Sequence, residues 1–154
     1  MTPFQRTLLA AQGYFELKMY REAIRELNTL DPKEQLQEEV LETRLQILMK
    51  AHRWRQAARV GETYCALFPN VASGFIHTAF CLHELGRTRA AKNVLLEGPA
   101  ALVKEATYHY NLACYECVLG NMEAARAHLE TSLSMDKELK ACAKEDPDLK
   151  PLFP

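Results

Sequence analysis

Long hydrophobic runs are missing from this chain. No stretch approaches the roughly 18 apolar residues of a membrane span. The segment Met1–Ala11 has an apolar core of only four residues with Arg6 on its flank, too short for the h-region of an export signal. No membrane association and a cytoplasmic location are therefore expected. Charge of one sign is missing too. Nineteen Lys and Arg against twenty Asp and Glu leave a net charge of −1, which offers no electrostatic reason for binding nucleic acid or an anionic membrane. Regular alternation of apolar and polar residues is absent, which argues against strands. There is no phosphate-cradling glycine loop, no nucleophile elbow and no paired histidine motif with a carboxylate, so neither an enzyme nor a cofactor is expected. The five cysteines, at 65, 81, 114, 117 and 142, are odd in number and lie within apolar helical pattern. Reduced thiols are the simplest reading of them.

What is present is a folded composition, 48% apolar and 25% charged, and a short stretch that recurs. Tyr20-Arg21-Glu22-Ala23, Trp54-Arg55-Gln56-Ala57, Thr88-Arg89-Ala90-Ala91 and Met122-Glu123-Ala124-Ala125 place Ala23, Ala57, Ala91 and Ala125 at a constant interval of 34 residues. A small residue at a fixed phase marks a close approach of two helices, rebuilt four times.

Helical periodicity fills the rest. Helices are predicted over about 4–17, from Tyr20 to a stop at Asp31-Pro32, and over about 33–51, with Leu36, Val40, Leu41, Leu45, Leu48 and Met49 on one apolar side. Further helices follow over 54–67, 71–85, 88–96, 101–119 and 122–134. Gly86 and Gly120 close two of them as left-handed caps. A more polar helix over 136–145, with Leu139 and Cys142 inward, is expected to cap the open end. Three prolines in Asp146–Pro154 rule out a further α-helix, so 146–154 is expected to be an extended tail.

Four helix–turn–helix units in a 34-residue register resemble the tetratricopeptide repeat. In that register the units are 4–37, 38–71, 72–105 and 106–139. The family's small residue at position 8 is matched by Ala11, Ala79 and Ala113 but by Leu45 in unit two. Its turn glycine is matched by Gly86 and Gly120, with Lys18 and His52 in the first two units. Tyr20 and Trp54 match its aromatic, Pro69 alone its proline, and the alanine at position 20 is met in all four. The resemblance implies an all-α fold, a right-handed superhelix of four antiparallel helix pairs with a C-terminal capping helix, because each pair buries its apolar face only against a neighbour.

The resemblance also implies a concave groove that binds a protein or peptide partner. Its lining would be Leu8, Gln12 and Phe15 from unit one; Glu42, Gln46 and Met49 from unit two; Ile76, Phe80 and His83 from unit three; and Tyr110, Asn111, Cys114 and Cys117 from unit four. Exposed rings and aliphatic groups on one wall suit a polypeptide segment. The subclass that grips a chaperone's C-terminal carboxylate needs cations that Leu8, Gln12, Thr43, Ser73 and His77 do not supply. Arg21, Arg55 and Arg89 repeat in helix first turns, against the macrodipole, and read as a solvated edge or an acidic partner's contact. Cys114 with Cys117, His83, and His77 with Cys81 have spacings a zinc ion could use, although the helical Cys-x-x-Cys lacks the loop of a zinc knuckle. The expected function is a non-catalytic adaptor, assembly factor or chaperone-like holder. Self-association into a homo-oligomer, a type III secretion-type chaperone and a zinc- or thiol-dependent regulator are the alternatives.

Overall fold

The computed structural model describes all of residues 1–154 and consists of nine α-helices and three short 3-10 segments. They fall into two compact parts, Met1–Phe68 and Pro69–Pro154. The first holds α1 (Pro3–Glu16), α2 (Tyr20–Asn28), α3 (Glu38–Lys50) and α4 (Trp54–Leu67). The second holds α5 (Ala72–Glu84), α6 (Thr88–Leu96), α7 (Ala106–Val118), α8 (Met122–Met135) and α9 (Leu139–Glu145). The helices pack as hairpins: α1 with α2, α3 with α4, α5 with α6 and α7 with α8.

One turn builds all four hairpins. The N–H groups of Met19, Arg53, Arg87 and Asn121 bond back to the carbonyls of Tyr14, Leu48, Leu82 and Glu116, and those of Lys18, His52, Gly86 and Gly120 to Phe15, Met49, His83 and Cys117. This double closure of a helix C-terminus requires a left-handed residue at its centre. Gly86 and Gly120 adopt it with φ of 77° and 87°, and Lys18 and His52 adopt it with φ of 60° and 56°. The backbone therefore keeps the turn where the sequence departs from glycine. Four residues past each turn's last residue, the N–H of Ala23, Ala57, Ala91 or Ala125 bonds that residue's carbonyl. All four alanines are fully buried, as are Ala11, Ala79 and Ala113. Leu45, the larger residue at that phase, is fully buried as well, so its hairpin accommodates the extra carbons.

In the first part, Ala11, Ala23, Leu27, Leu30, Val40 and Ile47 form a core cluster with Phe4, Leu8, Tyr14, Phe15, Tyr20 and Ile24 against it. The α1 terminus is fixed by a reciprocal cap in which the Gln5 N–H donates to Thr2 Oγ1 at 3.1 Å and the Thr2 N–H to Gln5 Oε1 at 2.9 Å.

Several boundaries differ from expectation. The helix predicted over 33–51 is a 3-10 turn, Glu34–Leu36, followed after an extended Gln37 by α3. Asp31 and Glu34 cap each other there: the Glu34 N–H donates to Asp31 Oδ1 at 2.8 Å, and the Asp31 N–H to Glu34 Oε2 at 3.1 Å. Leu36 is consequently exposed rather than on the apolar side. The helix expected from 101 begins at Ala106, after a 3-10 segment at Ala100–Lys104 that buries Leu102. A Cβ on Gly98 would collide with Leu102 and press on Phe75, which explains the glycine there. In α9 it is Ala143, not Cys142, that is buried; Cys142 is exposed and Leu139 half-buried. The largest correction is the tail. Residues 146–154 are not extended: Pro147–Leu152 form a 3-10 helix packed on α7, with Leu149 fully buried. Prolines forbid the α ladder, but a 3-10 segment beginning at a proline and capped by Asp146 tolerates them.

Candidate functional site

The second part carries the most developed site. Its walls are the C-terminal half of α5, the start of α6, one face of α7 and the 3-10 tail. Phe80, His83, Thr88, Tyr110, Asn111, Cys114, Tyr115 and Val118 line a cleft of about 570 Å³ together with Glu84, Asp146 and Asp148. That volume lies within the range of binding pockets for small ligands or side chains. The spacing on α7 is what a helix provides: Tyr110, Cys114 and Cys117 lie at i, i+4 and i+7 on one face.

The tail occupies one side of this cleft through specific contacts. His83 Nε2 lies 2.7 Å from Asp148 Oδ2, and its Nδ1 lies 2.9 Å from Thr88 Oγ1, so the ring is held at both nitrogens. It also tilts against Tyr115, with ring centroids 4.9 Å apart. The Tyr110 hydroxyl donates to Asp146 Oδ2 at 2.7 Å, and the Cys114 thiol approaches the same oxygen at 3.7 Å. Burial, and then Asp146, push the ionisations of Tyr110 and Cys114 upward, so both remain protonated donors at neutral pH. A thiol held neutral is not a nucleophile, and the one histidine of the cleft is already engaged with Thr88 and Asp148. The polar groups of the cleft are thus paired with one another within the chain.

The groove residues read from sequence are distributed unevenly. Phe80, His83, Tyr110, Asn111 and Cys114 line the cleft, and Ile76 is half-buried on the same α5. Cys114 is buried beneath the tail, and Cys117 is also buried, its sulfur 3.8 Å from that of Met122, so neither presents an open surface. In the first part, Leu8 and Phe15 pack against the core cluster, Gln12 is exposed, and Glu42, Gln46 and Met49 are half-buried. Arg21, Arg55 and Arg89 are exposed.

The metal-type spacing is resolved differently from the sequence reading. The donors that converge are Cys114, Asp146 and Asp148, within 4.8 Å of one another. Each is occupied by a neighbour: Asp146 with Tyr110 and Cys114, Asp148 with His83. Asp146 and Asp148 were missed because nothing local marks a tail carboxylate as a contact; the signal is tertiary.

No family model and no curated protein matches the chain. Solved structures do. The TTC0263 protein, a thermophilic tetratricopeptide-repeat protein of Thermus thermophilus, superposes with a TM-score of 0.74 over 97% of this chain and 81% of its own, at 18% identity. This is the tetratricopeptide-repeat fold. MamA of Desulfovibrio magneticus RS-1 matches with a TM-score of 0.76 at 13% identity, over 89% of this chain and 77% of that one. The MamA MSR-1 C2 structure matches at 0.77 and 14% identity, over 89% and 79%. At such identities the likeness concerns backbone, so the tetratricopeptide-repeat scaffold is common ground and the cleft's side chains are this chain's own. No helix is long and apolar enough to cross a membrane.

Proposed function

We propose that this chain is a non-catalytic protein-interaction module that holds a segment of a partner polypeptide in the cleft between α5 and α7. The observation that carries the reading is that a stretch of the chain's own polypeptide, residues 146–148, already lies against this face and forms one wall of the cleft through three side-chain contacts, with Leu149 buried next to it. Phe80 and Val118 supply apolar surface beside it, and Asn111 offers an amide donor and acceptor suited to a partner's main chain. Burying apolar surface contributes about 25 cal/mol per Å² before ordering costs are subtracted.

The adaptor or chaperone-like role follows from that chemistry, with an unidentified protein as partner. Selection of displayed random peptides on the 154-residue chain, with counter-selection on its Phe80→Ala and Tyr110→Ala variants, tests it. Peptides that bind the parent and lose binding to both variants, while helicity is retained, are the expected result. A selection yielding only peptides indifferent to both substitutions would refute the cleft as the site.

A further inference from the structure

The tail's grip on the cleft describes the ligand the cleft prefers. Asp146 divides its two oxygens. Oδ1 accepts the N–H of Asp148 at 3.0 Å and caps the 3-10 turn, while Oδ2 faces Tyr110 and Cys114. Pro147 is an exposed spacer that fixes the first turn. Asp148 reaches His83, and Leu149 is buried to 0% exposure. Lys150 and Pro151 return to solvent. The order is carboxylate, spacer, carboxylate, leucine. Opposite the two carboxylates the cleft offers a phenol, a thiol and an imidazole, each able to donate a hydrogen bond, and none of its lining residues is Lys or Arg.

We infer that residues 146–149 are an internal copy of the partner's recognition segment. The cleft selects a polypeptide with two carboxylates one residue apart and a leucine directly after the second, and the tail keeps that place until such a segment displaces it. The inference rests on the binding role proposed above and adds its specificity and its gate.

The tail is suited to the task. It is a 3-10 segment of six residues, with no α-helical ladder of its own. Part of the cleft stays open beside it, with Phe80, Asn111 and Val118 among its walls, so a longer ligand finds contacts the tail does not make. A tethered segment acts at an effective concentration on the order of millimolar, and a ligand in trans sees its affinity reduced to the open fraction.

The probe is a fluorescent synthetic peptide of residues 144–154, titrated by anisotropy into the 154-residue chain and into its Asp148→Asn/Leu149→Ser variant, whose tail no longer seats. The variant should bind at least about tenfold more tightly than the parent. A peptide carrying Asn at both aspartates and Ser at the leucine should not bind. Equal binding by parent and variant, or none by a variant that keeps its helicity, overturns the inference. Should the variant fail to fold, the parent decides the matter: excess natural peptide should speed hydrogen exchange of its amides at 148–150, 152 and 153, and unchanged exchange overturns it. Peptides from the display experiment separate the two levels. Sequences that depend on Phe80 and Tyr110 yet are basic, or lack the carboxylate–x–carboxylate–leucine order, reject the mimicry and leave the cleft standing; loss of that dependence rejects both.

Discussion

The imidazole of His83 and the carboxylate of Asp148 meet at 2.7 Å although 65 residues of sequence separate them. His83 closes α5, Asp148 lies in the 3-10 tail, and Thr88 at the start of α6 fixes the ring's other nitrogen. The contact therefore joins three elements of the second part through one side chain. It needs no charge on the imidazole: a neutral ring donating from Nε2 to the carboxylate accepts the Thr88 hydroxyl at Nδ1.

A double-mutant cycle with His83→Gln and Asp148→Asn reads the worth of that contact. Urea unfolding should return a coupling of about 0.5–1.5 kcal/mol, the range for an intramolecular hydrogen bond. Additive effects of the two substitutions would mean that the tail is held by Leu149 and the Asp146 contacts, with nothing from the His83–Asp148 pair.

The four turns make a prediction of opposite sign at equivalent places. Lys18 and His52 hold φ of 60° and 56°, a region that disfavours a Cβ, while Gly86 and Gly120 hold 77° and 87° with nothing within 4 Å of an added Cβ. Lys18→Gly and His52→Gly should therefore stabilise by up to about 1 kcal/mol, because relief of strain outweighs the added freedom of the unfolded chain. Gly86→Ala and Gly120→Ala should cost about 1 kcal/mol each from backbone strain, since space is not limiting. Melting temperatures of the four single variants check both signs.

Those turns also explain what was legible beforehand. Ala23, Ala57, Ala91 and Ala125 report a contact that recurs at one phase, so composition and spacing reveal the hairpins even where Lys18 and His52 replace glycine. The 3-10 segments were not legible, because Asp31–Glu34 capping and the seating of Leu102 in the second part interrupt patterns that look continuously helical. The cleft was half legible. Phe80, His83, Tyr110 and Asn111 follow from register, but Leu149, Asp146 and Asp148 gain meaning only when α7 is present to receive them. Periodicity carries no record of a segment too short to have a period.

Titration of buried groups bounds the pH range of stability. Burial, then the neighbouring His109, lowers the folded-state ionisation of His128 below its usual 6.5. The unfolded chain then binds the extra proton first, so this contribution is present above about pH 6.5 and is lost as pH falls. Cys81 behaves in the opposite sense: burial, then Glu84, push its thiol from 9.0 up to about 12. Its contribution is complete below pH 9.0 and disappears as pH rises toward 12. Denaturation midpoints should thus form a plateau between about 6.5 and 9.0, falling on both sides. His128→Gln should flatten the acid limb and Cys81→Ala the alkaline one. A midpoint that climbs steadily from pH 8 to 10 would contradict the second assignment.

Thiol labelling reads the seating of the tail directly. None of the five cysteines is in a disulfide; Cys142 is exposed, whereas Cys81, Cys114 and Cys117 are buried. The thiolate is the reactive form, and burial holds Cys81 and Cys114 protonated. At pH 8, iodoacetamide should modify Cys142 at least about a hundredfold faster than either, as it is exposed while they are buried and held protonated. Cys114 differs from Cys81 in what covers it, since its sulfur faces Asp146 of the tail segment. In the Asp148→Asn/Leu149→Ser variant, Cys114 should therefore become reactive while Cys81 stays protected. Peptide mapping by mass spectrometry distinguishes the two sites. If both became reactive together, the substitutions would have loosened the α5–α7 packing as a whole, and the tail would be part of the core and not a removable occupant of the cleft.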